Sequence, residues 1–253
     1  MKTLFTIIVS LFYLTAFGQV VTSVTNGLVG WWLPFGTNAT GTSVFDWSGN
    51  VNNGVTTDSP YWTNSVTGMT NALVFNGSTT YVKAGPATNL TDFSISMWFL
   101  NNAPTTAAIP FSSRTDGGKS GILVLNEGSI EVGFSDAAGN LTRKEWGTYI
   151  PSAWTHLAAT HIAGASSLVL YVNGVAGGSS LEATAVNPGN GTNVWFGKEP
   201  TTGLPYNGLL ADVRVFNRAL SQNEVTLLYH EGVPWTTRQL GNPVGLYQRV
   251  AKP

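Results

Sequence analysis

The feature that most constrains this chain is a two-residue hydrophobic rhythm, broken at short intervals by Gly, Asn, Pro and Asp. Phe93-Ser94-Ile95-Ser96-Met97-Trp98-Phe99 shows it most clearly, with Phe93, Ile95, Met97 and Phe99 on one side. This period sends alternate residues to opposite faces of a β-strand, and a helix of 3.6 residues per turn does not satisfy it. Similar runs predict strands over 27–33, 73–75, 154–161, 194–197 and 209–216. Ile122 to Phe134 predicts a hairpin turning near Glu127-Gly128, and Val169 to Val175 one turning at Asn173-Gly174, a dipeptide suited to two positive-φ residues.

One stretch reads as helical. Ser221-Gln222-Asn223-Glu224 fits a capping box, in which the Ser221 hydroxyl and the Glu224 carboxylate satisfy free backbone N–H groups. Leu220 and Val225 stand where a hydrophobic staple would sit, and Gly232 is placed to end the helix. With 253 residues and no internal repeat, the chain fits one large β domain, read as residues 24–232.

The charge pattern excludes several partners. There are 12 Lys and Arg against 13 Asp and Glu, and only 10% of residues are charged, where about 25% is usual. Without a basic cluster there is no electrostatic footprint for nucleic acid or an anionic membrane. The absence of Cys removes disulfides, thiol nucleophiles, Cys-bound zinc and iron–sulfur clusters.

Lys2, the apolar run Leu4 to Ala16, and small Ala16 and Gly18 around Phe17 read as a signal peptide, residues 1–18, cleaved before Gln19. The run is shorter than the roughly 20 residues that span a bilayer, so no membrane span is expected and the mature chain is expected at the cell surface, in the periplasm or outside the cell. The tail, 233–253, carries Arg238, Arg249 and Lys252 but no acid. Its role is left open between a flexible extension and a final strand with loops.

Several segments in order resemble the laminin G-like modules of the concanavalin A-like lectin/glucanase superfamily, as found on exported bacterial proteins. They are Gly27 to Trp32, Asp46-Trp47-Ser48-Gly49-Asn50 with Asn53-Gly54, Ala72 to Gly77, Tyr81-Val82, Phe93 to Trp98, Trp154-Thr155-His156, Leu170 to Gly174 and Asp212 to Ser221. The resemblance implies an all-β fold, a jelly-roll sandwich of two antiparallel sheets, here with one short C-terminal helix. An immunoglobulin-like sandwich is the runner-up; it needs fewer strands and usually a Cys–Trp–Cys pattern that this chain lacks.

Similar modules often hold a structural calcium between an early loop and an acid of the C-terminal strand, which implies a Ca2+ site at Asp46, Asn50 and Asp212. The loop offers side-chain oxygens at Asp46, Ser48, Asn50 and Asn52, and calcium takes 6 to 8 oxygen ligands. Ala211 stands where many relatives have a second acid, and the competing reading is an Asx-turn bonded to local backbone.

Catalytic motifs fail on inspection. The fold's hydrolases carry Glu-x-Asp-x-x-Glu on one strand, which does not occur here, and a turn sets Glu127 and Glu131 on different strands. Gly118-Lys119-Ser120 lacks the earlier Gly of a phosphate loop, His230-Glu231 lacks the second His of a zinc protease, and no Gly-x-Ser-x-Gly occurs. His156 and His161, an odd offset apart, fall on opposite strand faces, and His156 reads as structural. Trp31, Trp32, Trp98 and Trp154 read as core. Loop aromatics Tyr61, Trp62, Trp146 and Tyr206 remain, and of these Trp62, Trp146 and Tyr206 are the expected sugar-stacking residues, with loop packing as the alternative. The expected function is an exported, non-catalytic module that binds glycan or an extracellular protein. The alternatives are a glycoside hydrolase or lyase on the same fold, and a passive surface protein.

Overall fold

The computed structural model describes residues 24–32, 42–58, 62–63, 72–85, 90–103, 106–115, 121–126, 128–147, 153–165, 167–188, 193–198 and 203–232. The expected export segment, Tyr61 and the tail lie outside them, as does the Trp62 side chain.

Seventeen strands and one helix are described: β1 Leu28–Trp32, β2 Ser43–Val44, β3 Gly54–Thr56, β4 Trp62–Thr63, β5 Ala72–Asn76, β6 Val82–Ala84, β7 Phe93–Asn101, β8 Ala108–Ser112, β9 Gly121–Asn126, β10 Ile130–Ser135, β11 Leu141–Trp146, β12 Thr155–His161, β13 Val169–Val172, β14 Val175–Gly177, β15 Ser179–Ala183, β16 Val194–Phe196, β17 Asn207–Phe216 and α1 Gln222–Gly232. They form two antiparallel sheets. The eight-stranded sheet runs β14-β13-β12-β7-β17-β5-β4, with β1 also on β17; the nine-stranded sheet runs β15-β11-β10-β9-β8-β16-β6-β3-β2. The two ends of the domain meet in one ladder, β1 on β17, so the unit closes on itself.

Alternation decides what lies between the sheets. Phe93, Ile95, Met97 and Phe99 of β7 all face the core, as expected, and meet Phe111, Val124, Val132 and Phe134 of the other sheet in one buried cluster. Phe93 packs edge-on against Phe134 at 5.5 Å, and Trp32 against Phe196 at 5.1 Å. Fully burying a side chain of this size contributes about 1.5–3 kcal/mol, so these inner faces hold the sandwich shut.

The eight-stranded sheet is covered on its outer face as well. Val225 and Leu228 of α1 join Ala158, Tyr171 and Phe216 in a second buried cluster, and Tyr229 stacks on Trp98 at 5.6 Å. The helix begins as its sequence requires: the Ser221 amide donates to Glu224 Oε2 at 2.8 Å, the Glu224 amide approaches Ser221 Oγ at 3.4 Å, and Leu220 and Val225 pack in the same cluster. The Asn173-Gly174 turn has positive φ at both residues, 51° and 78°, and links β13 to β14.

Several features escaped the sequence, among them strands β2, β3, β4, β8 and β15. Strand β11 has the polar sequence LTRKEW, with no apolar alternation to betray it, yet it pairs with β10 on one side and β15 on the other. Strand β17 carries a bulge: Ala211 opposes Trp98 and Arg214 opposes Ser96, so three steps on one strand match two on the other. Asp212 sits in it with φ 51°, and the extra residue returns Val213 and Val215 to the core.

Candidate functional site: the outer face of the nine-stranded sheet

The calcium expectation is corrected by the donor geometry. Asp46 Oδ1 accepts the Trp31 and Ser48 amides, each at 2.9 Å, while Oδ2 accepts Ser48 Oγ at 2.8 Å and the Asn52 amide at 2.9 Å. Asn50 directs its amide nitrogen to the Leu28 and Val29 carbonyls. Asp212 binds Arg214 and the Trp31 indole N–H, the latter at 2.7 Å. A cation would have to displace these donors, so the three residues do not fit a calcium site. The loop is an Asx-type turn bonded to local backbone, and Trp31 donates to both the Asp46 and the Asp212 carboxylates.

Of the expected stacking residues, Tyr206 is corrected, and Trp146 is half-buried in a strand. Tyr206 is 0% exposed, and its hydroxyl donates to the Leu100 carbonyl at 2.7 Å. Trp146 is a strand residue in register with buried Ile130, and it packs against the core. A Cβ on Gly177 would lie 2.6 Å from the Trp146 ring, so the indole lies over that glycine. Neighbouring Gly147 and Pro205 make both read as loop residues in the sequence.

A serine and a histidine do meet: Ser96 Oγ and His156 Nε2 lie 2.9 Å apart. They are 3% and 1% exposed, in the same outer-face layer as Trp98 and Tyr229, so no substrate reaches them. Burial drives the His156 imidazole down to about 3, with the Asp212 carboxylate opposing and the Arg214 guanidinium reinforcing the shift. His161 lies on the other face, between Phe93 and Phe134.

Helix α1 packs on the outer face of the eight-stranded sheet, and the outer face of the nine-stranded sheet carries a second group of polar and aromatic residues. Strand register there places Lys83, Trp195, Ser112, Leu123, Gly133 and Arg143 opposite one another in a single row across β6, β16, β8, β9, β10 and β11. Trp195 is half-buried, its ring 5.7 Å from that of Tyr81; Lys83 lies 5.2 Å from the Trp195 ring and Lys198 5.7 Å from the Tyr81 ring. Beyond them, Arg114, Glu131, Gly133, Ser135 and Arg143 line a shallow hollow of about 120 Å³. Gly133 keeps that floor low, since a Cβ there would meet Arg143 Cγ at 2.8 Å. Arg143 donates to Glu131 Oε1 at 3.1 Å. Glu145 stands opposite Glu131 on the neighbouring strand.

Sequence reasoning passed over this site. A signal was present in Val82-Lys83-Ala84 and Val194-Trp195-Phe196, each an outward residue between two core ones.

The description concanavalin A-like lectin/glucanases matches residues 76–226, more than half of the chain. The chain belongs to this superfamily. No curated protein matches it in sequence. Among solved structures, the ligand binding domain of botulinum neurotoxin serotype D, in complex with N-acetylneuraminic acid, is similar at TM-score 0.65 and 15% identity, over 82% of this chain and 51% of that one. The chain thus spans about half the length of that toxin domain. Domain 4 of AbnA, a GH43 extracellular arabinanase from Geobacillus stearothermophilus, in complex with arabinotriose, is similar at TM-score 0.63 and 21% identity, over 80% of this chain and 98% of that one. The binding domain of Paraclostridial Mosquitocidal Protein 1 is similar at 0.63 and 16%, over 82% and 52%. At these identities the likeness establishes the lectin-like sandwich. Among the described residues, no helix is long and apolar enough to cross a membrane.

Proposed function

We propose that the chain is an exported, non-catalytic binding module that lays a carbohydrate chain across the outer face of the nine-stranded sheet. The observation that carries this is the half-buried Trp195–Tyr81 ring pair on that face. Partly exposed aromatic rings can stack on the apolar faces of sugars. The similar structures solved with N-acetylneuraminic acid and arabinotriose favour a glycan over a protein ligand. The reading as a binder is supported by the sequence, which carries no Glu-x-Asp-x-x-Glu strand motif. The signal-like segment at residues 1–18 supports export.

A glycan array identifies the ligand, and calorimetry of Trp195→Ala tests the site. The variant is expected to fold normally and to lose more than tenfold in affinity, about 1.4 kcal/mol, with no reducing ends released by either protein. Wild-type affinity in Trp195→Ala, or the absence of any saturable sugar, would overturn the site. Reducing ends lost on Glu131→Gln would favour a hydrolase instead.

A further inference from the structure

We infer that the sugar chain held on this face is acidic, with a carboxylate or sulfate group seated in the hollow between Arg114 and Arg143; this rests on the carbohydrate reading above. Four of the chain's 12 Lys and Arg, Lys83, Arg114, Arg143 and Lys198, belong to the aromatic platform and the hollow. That is a concentration of positive charge in a protein whose net charge is −1. Inside the hollow, two guanidiniums accompany one carboxylate, Glu131, which is 15% exposed. Glu145 lies on the same face, opposite Glu131, and does not line the hollow. Guanidinium groups present planar, paired N–H donors that match carboxylate and sulfate oxygens.

Ser135 supplies an independent pointer. It lines the hollow, is only 1% exposed, and its hydroxyl has no hydrogen-bond partner. Buried hydroxyls are paired in the great majority of cases, so an unpaired one lining the hollow offers a hydrogen bond to a group seated there. A strand spacing of about 4.8 Å puts the Trp195 and Arg143 positions, four steps apart, about 19 Å from each other. A single sugar does not bridge that span. The ligand is therefore an oligosaccharide that stacks at one end and carries its anionic group at the other.

The test is isothermal titration of the purified chain with a short oligogalacturonate, with the same oligomer methyl-esterified at its carboxyls, and with a sulfated heparin-derived oligomer. The acid form is expected to bind at least tenfold more tightly than the ester, and to weaken as salt rises. Arg114→Gln and Arg143→Gln should each remove most of that preference, and Ser135→Ala should reduce it several-fold, while Trp195→Ala weakens acid and ester alike. Preference for the sulfated oligomer keeps the anionic class and assigns its source to sulfate. Equal binding of acid and ester by the wild-type chain overturns the inference while leaving the carbohydrate reading intact. Failure of every oligomer, together with an empty glycan array, overturns both. The acid-versus-ester comparison decides the matter even if an arginine variant does not fold.

Discussion

Asp212 holds Arg214, two positions along the same strand, through a pair of hydrogen bonds: Nε donates to Oδ1 at 2.9 Å and Nη2 to Oδ2 at 3.0 Å. The same guanidinium reaches Glu231 of α1 at 2.9 Å and lies 4.4 Å from the Trp31 ring. One buried cation thus ties the bulge of β17, strand β1 and the helix together. Burial works against the charge of Arg214, yet Asp212 and Glu231 outweigh it and hold its pKa above the ordinary value.

Asp212→Asn tests this knot. Asn tolerates the positive φ at this position, so the backbone is spared and the ion pair is lost. Breaking one partner of a buried pair costs about 3–5 kcal/mol, and urea unfolding should show a loss of that size. A loss below about 0.5 kcal/mol, typical of an uninvolved surface site, would show that Glu231 alone satisfies the arginine.

Asp46 serves the loop's own backbone. Millimolar calcium added after chelator treatment is expected to leave the melting curve unchanged, since a ligand stabilises only what binds it. Asp46→Ala should cost on the order of 2 kcal/mol with or without calcium, because its four donors lose their acceptor. A calcium-dependent rise in melting temperature, absent in the variant, would restore the metal.

The helix cap is testable by mutation and by acid. Ser221→Ala should cost about 1 kcal/mol in denaturant unfolding. Hydrogen bonding to Arg218, with further bonds to Ser221, lowers the Glu224 carboxyl from 4.5 to about 2. A lowered carboxyl stabilises the fold above its unfolded pKa, and that contribution fades as pH falls from about 4.5 toward 2. Glu224→Gln should therefore be less stable than wild type at pH 7, with the gap closing near pH 2.

His156 predicts a separate window. Its imidazole is lowered from 6.5 to about 3, so the unfolded chain takes up a proton that the folded one refuses. Stability is complete above about pH 6.5 and should fall by roughly 1.4 kcal/mol per pH unit below it, one proton's worth. His156→Asn should flatten that slope between about pH 6 and 5, where Glu224 contributes little. Imidazole resonances assigned to His156 that titrate near pH 6.5 would contradict the burial.

Much of the molecule was legible in the chain because it rests on local rules. The pleat sends Phe93, Ile95, Met97 and Phe99 one way whatever lies opposite, and Ser221 with Glu224 closes a cap within a single turn. The same near-neighbour logic explains the Asn173-Gly174 turn. Alternation could also have separated Trp195 from its core neighbours, although it does not say which outward residues become neighbours of one another. That was decided by strand order and register. Lys83, Trp195, Ser112, Gly133 and Arg143 come from five strands and share one row only because β6, β16, β8, β9, β10 and β11 lie side by side in that order. Register likewise turned Trp146 inward, the Arg214 guanidinium engaged Asp212 two positions along the same strand, and packing buried Tyr206 in a segment that reads as a loop. Hydrogen-bond ladders between distant segments make these choices, and their free energy depends on partners that no short window of sequence contains.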